Sequence, residues 1–222
     1  MQSTFKLIHM NKQNEQLEAL TEIRSMMERS SRFISLSGLS GVFAGIFALI
    51  GAAAAYKYLY MDSVSIAEYS KRAFDSSNEP NISFFAFFVI NGGCVLIASL
   101  TAAIFFTVRK AKQKGQSIWD ATARRVLINL FIPLATGGLF CLVLLFHHQL
   151  SLIPSATLIF YGLALLNASK YTLNDIRYLG ISEIVIGLIA SVYLVGGLFF
   201  WAIGFGVLHI VYGTVMYYKY ER

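Results

Sequence analysis

Two ionisable residues stand inside apolar runs of the chain, and they are where chemistry is first expected. Glu183 lies about one turn into the run 180–196, and His209 lies near the middle of the run 198–218. An ionisable side chain within a bilayer is costly, so it marks a functional position whose partner has to be named. For Glu183 the sequence offers Lys170, Arg177 or interfacial water. His209 has no obvious charged partner at its depth, but Asn91 and Tyr161, in other apolar runs, reach similar depths. Two chemistries remain open for it. One is a neutral histidine hydrogen-bonded between helices; the other is proton sensing or a proton path, since imidazole titrates near neutral pH.

Other polar or small residues within the runs carry their own alternatives. Pro133 removes the helical donor for the carbonyl of Asn129 and kinks its helix, so a polar side chain sits beside a freed carbonyl. Broken helices of this kind line substrate sites in some transporters, and in other membrane helices they only set shape. Ser37, Gly41 and Gly45 recur every four residues, with Gly38 and Ser40 nearby; this is a small-residue face that lets a second helix approach closely. Gly204 and Gly213 read the same way. His147 and His148 are adjacent and point apart. Cys94 and Cys141 are the only cysteines and make no zinc-type spacing. No metal site, no cofactor and no catalytic residue is indicated.

The elements that must position these residues follow from composition. The 222 residues are 56% hydrophobic and 14% charged, against roughly 25% charged in an ordinary soluble domain. That excludes a typical soluble enzyme, a disordered chain and a collagen-like chain. Apolar runs at about 33–56, 83–107, 126–147, 152–168, 180–196 and 198–218 suit a bilayer that needs roughly 20 residues per helix. The last two are separated at Gly196-Gly197, because a single helix over 180–218 would be about 58 Å long. The expected fold is all-α: a polytopic membrane protein with a bundle of six transmembrane helices over 33–222, preceded by an amphipathic segment over 1–32. With the N-terminus in the cytoplasm, all but Lys57, Lys71 and Arg72 of the 18 basic residues fall on the cytoplasmic side. Both termini are therefore expected there.

Between the runs, residues 14–30 place Leu17, Leu20, Ile23, Met26 and Met27 on one helical face, with Glu15, Glu18, Glu22 and Glu28 opposite. This is an amphipathic helix for the membrane surface or a partner. Ser117–Asp120 and Thr172–Asp175 have capping-box spacing. The external loop 57–82 holds Ile66, Tyr69, Ala73 and Phe74 at the spacing of a short helix. No apolar signal-peptide core precedes the first run, which is expected to act as an uncleaved anchor.

Two resemblances bear on function. Gly38-Leu-Ser40-Gly41 resembles the GxSG around the serine of rhomboid-type intramembrane proteases, which also use a histidine in a later span. Gly180-Ile-Ser-Glu183-Ile-Val-Ile-Gly187, Trp201-Ala-Ile-Gly204 and Ile210-Val-Tyr-Gly213 resemble the six-span bacterial acid-resistance membrane proteins, the HdeD-like group. That resemblance implies a bundle of short apolar hairpins with glycines at helix contacts and a bacterial inner-membrane location. No HExxH, Walker or paired-aspartate signature appears, so an enzyme is not expected. The lipid bilayer is the expected partner, together with self-association or a membrane partner; nucleic acid is not. The expected function is that of a non-enzymatic structural or stress-associated membrane protein. The alternative is a small-solute or proton-coupled transporter with a cavity lined by His209, Asn91 and Asn129, with Glu183 and Tyr161 as further ligand or proton-path candidates.

Overall fold

The structure is a computed structural model that describes residues 37–60, 73–74, 81–113, 115 and 119–222, together with Leu20, Thr21, Ile23 and Met27. Most of the expected amphipathic helix 14–30, most of the loop 57–82, and Ser117 lie outside the described residues. The four described positions within 14–30 are helical and exposed. The chain divides into two units, Met1–Arg32 and Phe33–Arg222, and the long helices named next all belong to the second.

Among the described residues there is no β-strand. The long helices are α1 (Gly38–Tyr60), α2 (Ile82–Gln113), α3 (Ala121–Phe146), α4 (Ile153–Ala168), α5 (Asp175–Val192) and α6 (Leu194–Tyr220). All except α5 are long and apolar enough to cross a membrane, α4 being counted with its flanking 3-10 turns as Leu150–Tyr171. Helix α5 has 18 residues and carries Asp175, Arg177 and Glu183. It begins and ends about one turn earlier than the run 180–196 suggests. Its end comes at Tyr193, and a 3-10 turn, Leu194–Gly196, leads to Gly197, which packs on Pro154.

Helix α3 is capped by Asp120, whose Oδ1 accepts a hydrogen bond from the Ala123 amide at 2.6 Å. Helix α5 opens behind Asn174, two residues later than a cap at Thr172 would set it.

Helix α1 packs between α2 and α6, helix α4 packs between α3 and α5, and α6 joins the two groups by also touching α4 and α5. Glycines set the closest contacts. A methyl on Gly213 of α6 would stand 2.6 Å from the Val42 amide nitrogen and 2.7 Å from the Gly38 carbonyl oxygen; one on Gly45 would stand 2.6 Å from the Gly206 oxygen. The small-residue face of Ser37, Gly41 and Gly45 is thus covered by the C-terminal part of the same chain, Gly41 and Gly45 by α6 and Ser37 by Glu221 just after it. Gly162 of α4 and Gly180 of α5 meet reciprocally, each facing the other's carbonyl oxygen. Without a hydrophobic force between helices in lipid, such backbone-to-backbone packing supplies the cohesion.

The two ends of the bundle differ. At one end Leu59, Ala73 and Phe84 form a small core with aromatic neighbours, including Tyr58 stacked on Phe87. The other end is polar. There the Glu221 carboxylate accepts from the Gly38 amide, from Ser37 Oγ at 3.0 Å and from Lys110 Nζ at 3.3 Å. It thereby satisfies orphan donors at the α1 N-terminus and ties the end of α6 to α1 and α2.

Candidate functional site

Helices α4, α5 and α6 each bring one polar side chain to a common point in the core. Glu183 of α5 is fully buried, and its Oε1 stands 3.3 Å from Nδ1 of His209 on α6. On the other side of the imidazole, Nε2 is 2.8 Å from the Tyr161 hydroxyl of α4. His209 follows a π-helical stretch, Ala202–Leu208. Such widened turns gather at functional sites. Here the stretch presents the Gly204 carbonyl to His209 Nδ1 at 3.0 Å.

This geometry constrains the protons. A carbonyl oxygen only accepts, so the contact with Gly204 requires a hydrogen on Nδ1. The Tyr161 hydroxyl then either donates to Nε2 of a neutral ring or accepts from it in an imidazolium. Neither carboxyl oxygen of Glu183 receives a hydrogen bond of normal geometry. An ionised carboxylate left so would be strongly penalised unless its charge were balanced. The balance is one proton held by the pair, either on the carboxyl or as the second proton of the imidazole. Losing that proton leaves a net negative charge in the core, and adding another leaves a net positive one.

On the Gly204 side the carboxyl is tightly packed. A methyl on Gly204 would stand 2.5 Å from Glu183 Oε2 and would also strike Leu158, which is itself fully buried. A cation wanting several oxygen ligands has no room on that side of the carboxyl. Among the described residues, no group of three or more His, Cys, Asp or Glu comes together as a metal would need.

Aromatic rings close one side of the site. Trp201, Phe205 and His209 lie at four-residue steps on α6, with ring centroids 4.9 Å apart for the first pair and 6.0 Å for the second; Phe205 also packs on Tyr161 at 5.0 Å. Toward the polar end lie Leu165, Ile176, Leu179 and Met216, with Tyr161, Tyr212 and Tyr220 against them. At that end Tyr220 donates to Asp175 Oδ2 at 2.6 Å, and Lys219 Nζ reaches both Asp175 oxygens at 3.1 Å.

The structure thus brings Glu183, His209 and Tyr161 together and sets Asn91 and Asn129 elsewhere. Asn91 donates across the α1–α2 contact to the Gly51 carbonyl at 3.0 Å. Asn129 donates to the Arg125 carbonyl on its own helix. The Asn129 carbonyl freed by Pro133 accepts from Asn167 of α4 at 3.0 Å, so the proline serves helix docking. These three residues therefore do not line one cavity. Glu183 turns to His209 and not to Lys170 or Arg177, because α5 starts at Asp175 and carries Glu183 about 12 Å along the helix. The spacing Trp201-x3-Phe205-x3-His209, one helical face around a histidine, was the legible sign of the aromatic seal.

Ser40 and His209 form no protease dyad. Ser40 Oγ donates to the Ser37 carbonyl, and both imidazole nitrogens are engaged by Tyr161, Gly204 and Glu183. His148, in the left-handed region with φ 60°, stacks on Phe74 at 4.0 Å. An apolar cleft of about 780 Å³ between α2 and α3 is lined there by Ile82, Phe85, Val89, Leu142 and Phe146 among others. It lies on helices that do not carry the buried pair. Cys94 and Cys141 are free thiols. No protein-family model, no curated protein and no solved structure matches this chain.

Proposed function

We propose that this integral membrane protein is non-enzymatic and proton-responsive, and that the Tyr161–His209–Glu183 group is its proton-binding centre. The observation that carries the reading is the Glu183 carboxyl: fully buried, 3.3 Å from one imidazole nitrogen and without a hydrogen-bond donor of normal geometry. The charge of the bundle's interior there is decided by one proton. A change in that charge acts on the π-helical turn of α6, which packs on α1 and α5 and meets α4 where Phe205 lies against Tyr161.

In this reading the chain crosses the membrane six times, the apolar stretch of α5 after Arg177 being the remaining crossing. Both termini lie on the cytoplasmic side of a bacterial-type inner membrane. The distribution of basic residues supports that orientation, and the likeness of 180–187, 201–204 and 210–213 to acid-resistance membrane proteins supports a role in acid stress. A proton-coupled transporter built on the same pair is the second reading, and what favours it is that His209 and Glu183 lie deep in the bundle.

Proton flux and pH-dependent stability separate the readings. The chain in liposomes is expected to pass no protons beyond those of an H209Q variant. Its melting temperature in detergent is expected to vary with pH in a way that E183Q removes. A flux that H209Q abolishes in a folded protein establishes the transporter instead. A melting profile identical in the chain and in E183Q at every pH removes the proton-binding reading.

A further inference from the structure

We infer that the Gly204 carbonyl and the Glu183 carboxyl compete for one hydrogen, that on Nδ1 of His209, and that the proton of the pair decides between them. With Glu183 protonated, the hydrogen ties the π-helical turn of α6 at Gly204. With Glu183 ionised, it swings to the carboxylate and the turn is released. The inference rests on the proton-binding reading and adds to it the part that moves.

Nδ1 carries at most one hydrogen, and two acceptors stand beside it. The Gly204 carbonyl oxygen is at 3.0 Å with hydrogen-bonding geometry, and Glu183 Oε1 is at 3.3 Å without it. The other ring nitrogen is engaged by the Tyr161 hydroxyl at 2.8 Å. Of the two competitors an ionised carboxylate is the stronger, since charge-assisted hydrogen bonds are shorter and roughly twice as strong as neutral ones. A hydrogen held at the carbonyl therefore marks Glu183 as the neutral carboxylic acid, with the shared proton on its carboxyl.

On ionisation the carboxyl O–H bond breaks, the proton leaves to solvent, and the carboxylate keeps the electron pair. The Nδ1 hydrogen then turns to Oε1, and the separation of 3.3 Å closes to roughly 2.8 Å. The Gly204 carbonyl loses a donor where the residue is buried, and a buried backbone acceptor has to be satisfied from within the fold. The bond from the His209 ring spans five residues, the register of a π-helical turn. Its loss favours the ordinary register, in which each carbonyl takes the amide four residues on. The turn is also a joint: Gly206 within it packs on Leu49 of α1, and Gly204 packs on Leu158 of α4.

Few other groups compete for the proton. Helix α1 has no titratable side chain before Tyr56, and α4 has only Tyr161. On α5, Asp175, Arg177 and Tyr178 stand more than one turn from Glu183. On α6, Tyr212 follows His209 by three residues.

The test reads the Gly204 carbonyl directly, because Gly204-Phe205 is the only glycine–phenylalanine pair in the chain. Carbon-13 in glycine carbonyls and nitrogen-15 in phenylalanine single it out by solid-state NMR of the full-length chain in liposomes. Its resonance is expected to move upfield as pH rises, along the same curve as the loss of the Glu183 carboxylic-acid infrared band. E183Q and, separately, H209Q are expected to hold it at one position at every pH. The unaltered chain decides the matter even where a variant fails to fold.

A carboxyl band that titrates while the Gly204 resonance stays fixed overturns the switch and leaves the proton site standing. So does a resonance that moves as far in E183Q as in the unaltered chain. A band and a resonance both indifferent to pH overturn the site and the switch together.

Discussion

Glu183 and His209, on consecutive helices and 26 positions apart in sequence, meet at 3.3 Å where neither is reached by solvent to any useful extent, their side chains being 0% and 7% exposed. Each explains the other. A carboxyl buried this deeply needs a positive neighbour or its own proton. A histidine at this depth needs both of its nitrogens occupied, and Tyr161, Gly204 and Glu183 occupy them. The two side chains therefore form one buried polar unit.

Removing one partner leaves the other uncompensated. H209A is expected to destabilise the chain by about 3–5 kcal/mol, measured by reversible denaturation in mixed micelles. E183Q introduced beside H209Q is expected to cost less than E183Q alone, with a coupling of roughly 0.5–3 kcal/mol. Strictly additive effects contradict the pairing.

Tyr161 makes a single hydrogen bond to the ring, and its loss creates almost no cavity. Y161F is expected to lower stability by about 0.5–1.5 kcal/mol. It is also expected to alter the chemical shift of His209 Nε2 far more than that of Nδ1 in a nitrogen-15 histidine spectrum. Equal movement of both nitrogens contradicts the contact.

Glycine contacts hold the site closed. G204A drives a methyl against Glu183 Oε2 and Leu158, and G213A drives one against Val42 and Gly38. Each is expected to cost about 1–3 kcal/mol by overpacking. Only G204A is expected to change the pH dependence of the melting temperature, because of the two glycines only Gly204 touches the carboxyl.

Asp175 gives a separate acid limb. Partial burial works to raise its carboxyl, but hydrogen bonds from Tyr220 and Lys219 and the Lys219 charge outweigh it and hold the group below the usual carboxylate range. A carboxyl lowered on folding stabilises the fold above its unfolded value. That contribution fades as pH falls through the folded value. Melting temperatures followed downward from neutral pH are expected to fall below the ordinary carboxylate range, and D175N is expected to flatten that part of the curve. An unchanged slope in D175N contradicts the assignment.

Much of this architecture was legible in the sequence because bilayer thickness fixes helix length. The runs 83–107 and 152–168 fall within α2 (Ile82–Gln113) and on α4 (Ile153–Ala168), and the break near Gly196-Gly197 lies a few residues after the true end of α5. Glu183 and His209 stood out by cost alone. Their pairing did not, because it depends on the rotation of α5 against α6 and on a π-helical turn that no residue pattern announces. The asparagines misled for a related reason. Asn91 and Asn129 are as polar as His209, yet each is satisfied by a backbone carbonyl, its partner set by local packing on Gly51 or Arg125. The small residues of α1 showed that a helix would approach, and only the fold shows that the helix is α6.

The most direct test of the central claim is the infrared difference spectrum of the folded chain between two pH values, in the carboxyl stretching region, recorded beside that of E183Q. A proton shared between Glu183 and His209 predicts a carboxylic-acid band that changes with pH in the chain, is absent from E183Q and shifts in H209Q. A spectrum in that region that is the same for the chain and for E183Q would mean that Glu183 keeps one protonation state throughout, and the account would be wrong.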